Sequence, residues 1–167
     1  MIHLITGGTR SGKSTYAQNS ALNLSENPIF ISTSRILDEE FEERIAQNKK
    51  DRDKRFVSVE KDRCISEVYI SDKVVVVDSV TLWIMNIFMD LDQDIAKTLL
   101  FIKSEVEAIE RANAQIFLIT NEMGMGANGE SKFARKFIDL QGWVNQYLAK
   151  KAVSVTMMVS GIPLKVK

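Results

Sequence analysis

Gly7-Gly8-Thr9-Arg10-Ser11-Gly12-Lys13-Ser14 follows the short apolar run Ile2-His3-Leu4-Ile5-Thr6 and precedes a segment of good helix formers. A strand, a glycine loop carrying Gly7, Gly12, Lys13 and Ser14 at these spacings, and then a helix read as a phosphate-binding P-loop. The glycines let the backbone turn tightly and aim its N–H groups at a polyphosphate. Lys13 reaches the β- and γ-phosphates, and Ser14 offers a hydroxyl to Mg²⁺.

Around that loop the composition sets limits. The chain has 167 residues, 45% of them hydrophobic, enough to bury one substantial core, so one domain over residues 1–167 is expected. Its 22 basic and 22 acidic side chains cancel. No global field then favours nucleic acid or an anionic membrane, and any polyanion must be gripped locally. Cys64 is the only cysteine, which excludes an intramolecular disulfide framework and suits a reducing cytosol. No apolar run approaches the roughly 18–20 residues of a membrane span, and a cytoplasmic protein is expected.

Onward from the loop, Lys13 to about Leu24 is helical, and Ser25-Glu26-Asn27-Pro28 closes it. Ile29 to Thr33 is the next strand, with Ser34 and Arg35 leaving its C-terminal end, where ligands of open parallel sheets bind. Asp38 to Lys50 is charge-dense with Phe41 and Ile45 as its one apolar pair, a mostly solvated helix. Phe56 to Glu60 alternates like a short strand, and Lys61 to Ser71 reads as helix.

Val74-Val75-Val76-Val77-Asp78 is a β-branched run ended by a carboxylate, which suits a central strand buried on both faces. An acid at such a tip of a P-loop protein holds the Mg²⁺ shell. Trp83, in the apolar stretch Thr81 to Met89, reads as core. Asp94 to Ala112 is an amphipathic helix whose stripe is Ala96, Leu99, Leu100, Ile102, Val106 and Ile109. Ile116 to Thr120 is another buried strand, running into Asn121-Glu122-Met123-Gly124-Met125-Gly126, a polar, glycine-containing exit of functional type. Ser131 to Lys150 is a long helix with Phe133, Phe137, Leu140, Val144 and Leu148 on one face. Val153 to Ser160 and Leu164 to Val166 read as final strands joined around Gly161-Ile162-Pro163.

This alternation predicts a three-layer α/β domain around a mainly parallel sheet with an antiparallel C-terminal edge. The P-loop, Thr33 to Arg35, Asp78 and Asn121-Glu122 then all lie at C-terminal strand ends and can share one crevice.

Several further stretches carry a resemblance over essentially the whole chain: the P-loop octet, Thr33-Ser34, Arg44-Ile45, Asp78 before Thr81-Leu82-Trp83 and Asn86, Asn121 to Gly126, Arg135-Lys136-Phe137-Ile138-Asp139, Gly142 with Asn145-Gln146, and Ser160-Gly161 with Pro163. Together they resemble the bifunctional adenosylcobinamide kinase / adenosylcobinamide-phosphate guanylyltransferase family of cobalamin biosynthesis. The resemblance implies a RecA-like P-loop fold, Mg²⁺, GTP or ATP as substrate, a corrinoid acceptor and a homotrimer. It implies phosphorylation of the aminopropanol hydroxyl of adenosylcobinamide, followed by GMP transfer from GTP. It also implies nucleotide contacts from Gly7, Gly8, Thr9, Arg10, Ser11, Gly12, Lys13, Ser14, Thr33, Ser34, Arg35, Lys49, Lys50, Asp51, Arg52, Glu60 and Asp78. Of these only the P-loop, Gly7 to Ser14, and Asp78 are also read directly from the residues, with Lys13 and Asp78 as catalytic and Ser14 and Asp78 as metal ligands.

The chain departs from the family at one position. The histidine that family members guanylylate stands four residues after the Arg44 position, and here that residue is Asn48. A carboxamide nitrogen, its lone pair delocalised into the carbonyl, is not a nucleophile. His3, the only histidine, is at the start of the first strand, on the order of 10 Å or more from the P-loop end, and reads as a structural edge residue. Three functions follow from these residues: a cobinamide kinase with guanylyl transfer lost or impaired, a fully bifunctional enzyme using another route, or a catalytically silent nucleotide-binding module.

Overall fold

The computed structural model describes residues 1–35, 47, 49–50, 52–126 and 129–167. Among them the elements run β1 (Ile2–Gly7), α1 (Lys13–Leu22), β2 (Ile29–Ser32), β3 (Val57–Glu60), a 3-10 turn (Ile65–Glu67), β4 (Val74–Asp78), α2 (Val80–Asp90), α3 (Ile95–Glu110), β5 (Gln115–Ile119), α4 (Lys132–Lys151), β6 (Ser154–Val159) and β7 (Ile162–Lys165).

The strands form one seven-stranded sheet in the order β3-β2-β4-β5-β1-β6-β7. Every neighbouring pair is parallel except β6 with β7, which is antiparallel. The expected α/β P-loop architecture, mainly parallel with an antiparallel C-terminal edge, is the observed one.

Because strand side chains alternate in direction, the apolar runs supply two cores at once. Leu4, Ile31, Val75, Val77, Ile116 and Leu118 face one side and pack with Trp83, Ile84, Phe88, Ile102, Val106, Leu140 and Val144 of α2, α3 and α4. Ile5, Phe30, Val76, Phe117 and Ile119 face the other side and pack with Ala17 and Ala21 of α1. The first core is deep. The second is thin, and small alanines let α1 lie close against the sheet beside the phosphate loop.

The helices start where side chains satisfy their first N–H groups. Ser79, Asp94 and Ser131 accept from Leu82, Lys97 and Ala134 at the N-termini of α2, α3 and α4. No helix among the described residues is long and apolar enough to cross a membrane.

Five sequence expectations need correction or restriction. Lys61 to Ser71 is not a helix beyond the short turn Ile65–Glu67. Its carbonyls are taken by tertiary partners: Asn86 Nδ2 donates to Asp62 O at 3.0 Å and Trp83 Nε1 to Arg63 O, while Ser66 N and Oγ both donate to the Glu105 carboxylate at 2.9 Å. On α3, Leu100 is 71% exposed and Ala96 is also exposed. The buried line is Thr98, Ile102, Val106 and Ile109, and at about 100° per residue positions 96 and 100 fall on the far side of the helix from it. The final turn is Ser160-Gly161, at φ 51° and 86°, so Ile162 and Pro163 belong to β7. Proline is tolerated there because β7 is an edge strand. Of the charged helix, Gln47, Lys49 and Lys50 are helical and exposed, and the rest, from Asp38 to Ala46 with Asn48, lies outside the described residues.

His3 sits in an interior strand, between β5 and β6, rather than at a sheet edge. Its Nδ1 pairs with Ser154 Oγ at 2.8 Å and its Nε2 with Gln115 Oε1 at 3.1 Å, and its ring stacks on Phe117. Both nitrogens are used at the end of β1 opposite the loop.

Candidate active site

The loop after β1 is shaped by the strand beside it. Gly7 has φ 147°, and a Cβ there would meet Met158 O at 2.5 Å and Ser11 Oγ at 2.8 Å. Gly12, at φ 93°, caps α1 in a left-handed conformation with no side-chain cap bond, and its α-carbon faces Gly161 of the β6–β7 turn, which would stand 3.3 Å from a Cβ. The Gly161 N–H donates to Ser11 O at 3.0 Å, so the hairpin buttresses the loop. The uncapped first turn of α1 leaves backbone N–H groups for an anion.

Lys13 is buried, and its Nζ donates to Gly8 O at 2.6 Å, folding the ammonium back over the loop. Burial pushes its pKa below the usual lysine value, and the Asp78 charge partly offsets this. Ser14 Oγ donates to Asp78 Oδ2 at 2.7 Å. This hydroxyl–carboxylate oxygen pair suits Mg²⁺, a hard cation that keeps several waters and takes one or two protein oxygens beside substrate phosphates.

These groups open on a cleft of about 820 Å³ lined by Thr9 to Ser14, Gln18, Asn19, Phe30, Ser32, Ser34, Arg52, Asp53, Asp78, Ser79 and Asn121, among others. Arg52 stacks its guanidinium 3.5 Å above the Phe30 ring centroid and donates from Nη1 to Ser58 Oγ at 2.8 Å. Burial lowers its pKa, while the charges of Asp78 and Glu60 raise it.

Other residues named from the sequence are placed elsewhere. Thr33 is fully buried and ties two strand ends together: its Oγ1 donates to Ser79 O at 2.7 Å and accepts from Ser79 N at 2.9 Å. Arg35 makes a bidentate pair with Asp90, at 2.7 and 2.8 Å, and a further bond to Asp62. The Asp90 bonds raise its pKa further. It is absent from the cleft lining. Lys49 Nζ donates to Glu60 Oε1 at 2.7 Å on the surface, and Lys50 is exposed. Asn48 and Asp51 lie outside the described residues. Asn121, expected from the sequence to share the crevice, lines the cleft, and Gln18, Asn19 and Phe30 line it without having been singled out as site residues. For Gln18 a signal existed, since it follows Ser14 by one helical turn.

The chain matches a family model described as cobinamide kinase / cobinamide phosphate guanyltransferase over residues 3–166. It is 36% identical over 185 residues to the bifunctional adenosylcobalamin biosynthesis protein CobU of Escherichia coli strain K12, with all of both chains covered. It is 34% identical over 182 residues to the protein of the same name from Salmonella typhimurium, again with full coverage of both. To the bifunctional adenosylcobalamin biosynthesis protein CobP of Pseudomonas aeruginosa it is 29% identical over 174 residues, covering all of this chain and 98% of that one. Length, motif and identity agree from one end to the other, and the chain belongs to the cobinamide kinase / cobinamide phosphate guanyltransferase family.

Proposed function

We propose that this protein phosphorylates adenosylcobinamide with a nucleoside triphosphate, and that guanylyl transfer to the phosphorylated product is lost or severely reduced. The observation that carries the first half is the convergence of Lys13, Ser14 and Asp78 on one cleft, with the Ser14–Asp78 contact at 2.7 Å. The second half rests on Asn48 standing where the family's guanylylated histidine stands.

The alcohol oxygen of the corrinoid side arm attacks the γ-phosphorus. The bond to the β–γ bridging oxygen breaks, the nucleoside diphosphate leaves with that electron pair, and the hydroxyl proton passes to water. Backbone N–H groups of residues 8–13 and the Lys13 ammonium bind the phosphate oxygens as charge spreads over them. Ser14 and Asp78 would hold Mg²⁺, which would supply charge neutralisation at the phosphates. Arg52, which lines the cleft, flanks the nucleotide in this reading.

His3 offers no substitute nucleophile, since its ring nitrogens are both engaged at the far end of β1. The homotrimer implied by the resemblance belongs to the same reading. It is favoured by the edge strand β7, where Ile162, Leu164 and nearby Val166 are 69%, 55% and 62% exposed.

Two assays test the proposal. Steady-state phosphorylation of adenosylcobinamide with ATP and with GTP should give turnover, and zero turnover with intact nucleotide binding would instead identify a binding module. Incubation with α-labelled GTP should leave no label on the denatured protein. Asn48→His should gain label if the remainder of the second site is present; label on the unaltered protein would refute the loss of guanylyl transfer.

A further inference from the structure

The tip of β5 carries a polar side chain that the reading above does not use. In the strand order β4-β5-β1, a residue just past β5 stands between Asp78 at the end of β4 and the loop that leaves β1, with neighbouring strands ~4.8 Å apart. Asn121 has that place, and it lines the cleft together with Lys13, Ser14 and Asp78.

Its backbone is fixed from two helices. The Asn121 N–H donates to Thr81 Oγ1 of α2 at 2.9 Å, and its carbonyl accepts from Asn145 Nδ2 of α4 at 3.2 Å. Behind it, Thr120 Oγ1 donates to Asn145 Oδ1 at 2.8 Å, and buried Gln141 donates from Nε2 to Thr120 Oγ1 at 2.7 Å and to Asn145 Oδ1 at 3.1 Å. One residue on, the Glu122 N–H donates to Gly7 O at 3.0 Å, tying this segment to the phosphate loop.

The main chain of Asn121 is therefore fully used, whereas its half-buried side-chain carboxamide has no hydrogen-bond partner among the described residues. A partly desolvated donor held without a partner beside a phosphate loop is preorganised for a ligand oxygen. A carboxamide is also neutral at every working pH, so it can donate close to Asp78 without repelling phosphate.

We infer that Asn121 is a further catalytic residue: its carboxamide N–H donates to an oxygen of the terminal phosphate as that group is transferred, and Thr81, Asn145 and Gln141 are the positioning residues that aim it. The inference rests on the phosphoryl-transfer reading above.

The test compares the full-length wild-type protein with Asn121→Ala, Asn121→Asp and Asn145→Ala. It measures adenosylcobinamide phosphorylation, equilibrium binding of a fluorescent non-hydrolysable GTP analogue, and thermal unfolding. Asn121→Ala should lower kcat roughly 10²-fold while nucleotide affinity stays within about threefold, since a contact made in the transition state changes kcat rather than binding. Asn145→Ala should lower kcat in the same direction by less. Asn121→Asp should be impaired at neutral pH and gain activity as pH falls toward the ordinary carboxylate pKa near about 4.

Wild-type kcat in Asn121→Ala overturns the inference, as does a loss of kcat matched by an equal loss of affinity. If Asn121→Ala fails to fold, Asn121→Asp decides, and pH-independent wild-type turnover in that variant overturns it. Absence of turnover in the wild type removes the phosphoryl-transfer reading and this inference with it. Turnover that survives unchanged in Asn121→Ala removes the inference alone.

Discussion

The phosphate loop and the charged flank after β2 are both rich in groups that could grip an anion, but they differ in what holds those groups. In the loop the geometry comes from backbone: Gly7 against Met158, Gly12 against the β6–β7 turn, and Lys13 folded over Gly8 O. In the flank three of the described cations are matched by nearby carboxylates, while Arg52 rests on Phe30 and Ser58. Arg35 is held by Asp62 and Asp90, Lys49 by Glu60, and Arg55 by Asp53. A cation already paired must break that pair to bind phosphate, whereas amides at an uncapped helix start need break nothing. Abundance of charge is therefore a weaker sign of an anion site than unspent backbone donors.

The largest expected effect tests the loop side of this contrast. Lys13→Ala should reduce phosphoryl transfer by at least about 10²-fold with little change in thermal unfolding, since the removed group is a buried ammonium rather than a packing element. Wild-type-like turnover would place the catalytic centre elsewhere.

Trp83→Ala probes what anchors the flank to the scaffold. Trp83 is fully buried and its Nε1 donates to Arg63 O, so the change should destabilise the fold by about 3–5 kcal/mol, read by denaturant unfolding. A loss under about 1 kcal/mol would mean that the site collapses around the missing ring.

A smaller effect distinguishes the Arg35 cluster by pH. The hydrogen bond from Arg35, aided by the charges of Arg35 and Arg63, holds the Asp90 carboxyl below its ordinary pKa despite some desolvation. A carboxyl depressed in the folded state stabilises above its unfolded value, near about 3.9, and that contribution is lost as pH falls through the folded value. Asp90→Asn should therefore cost about 1 kcal/mol near neutral pH, discounted for partial exposure. The gap from wild type should close in the acid range. A gap that is independent of pH would assign the role to packing.

The smallest effect is expected at Lys49→Ala. The Lys49–Glu60 pair is exposed on both sides, at 58% and 65%, and its removal should change stability by no more than ~0.5 kcal/mol. If nucleotide affinity nonetheless falls severalfold, Lys49 leaves Glu60 to meet phosphate, and the contrast between loop and flank softens.

How much was legible varies along the chain. Val74–Asp78 was readable to the residue because four β-branched residues ended by an acid satisfy strand propensity and burial together. Lys61 to Ser71 misled because its local pattern suits a helix, while Asn86, Trp83 and Glu105, distant in sequence, offer its polar groups other partners. Leu100 misled because it is apolar, although its place on the helical wheel is roughly opposite the buried line. Among site residues, Lys13, Ser14 and Asp78 were legible from motif and strand end, but Arg35 was not. Its partners lie 27 and 55 positions along the chain.

The sequence by itself determined the phosphate loop, the parallel sheet that presents it and the antiparallel edge, since each depends on residue type and near-neighbour spacing, and the Asn48 departure followed from the family resemblance. Only the tertiary structure decided that β5 lies between β1 and β4, which cations are already paired, and that Asn121 stands between Asp78 and the loop with its carboxamide unpartnered among the described residues. The physical reason is that strand order and ion pairing join residues far apart in the chain, and such choices are made by packing the whole core at once.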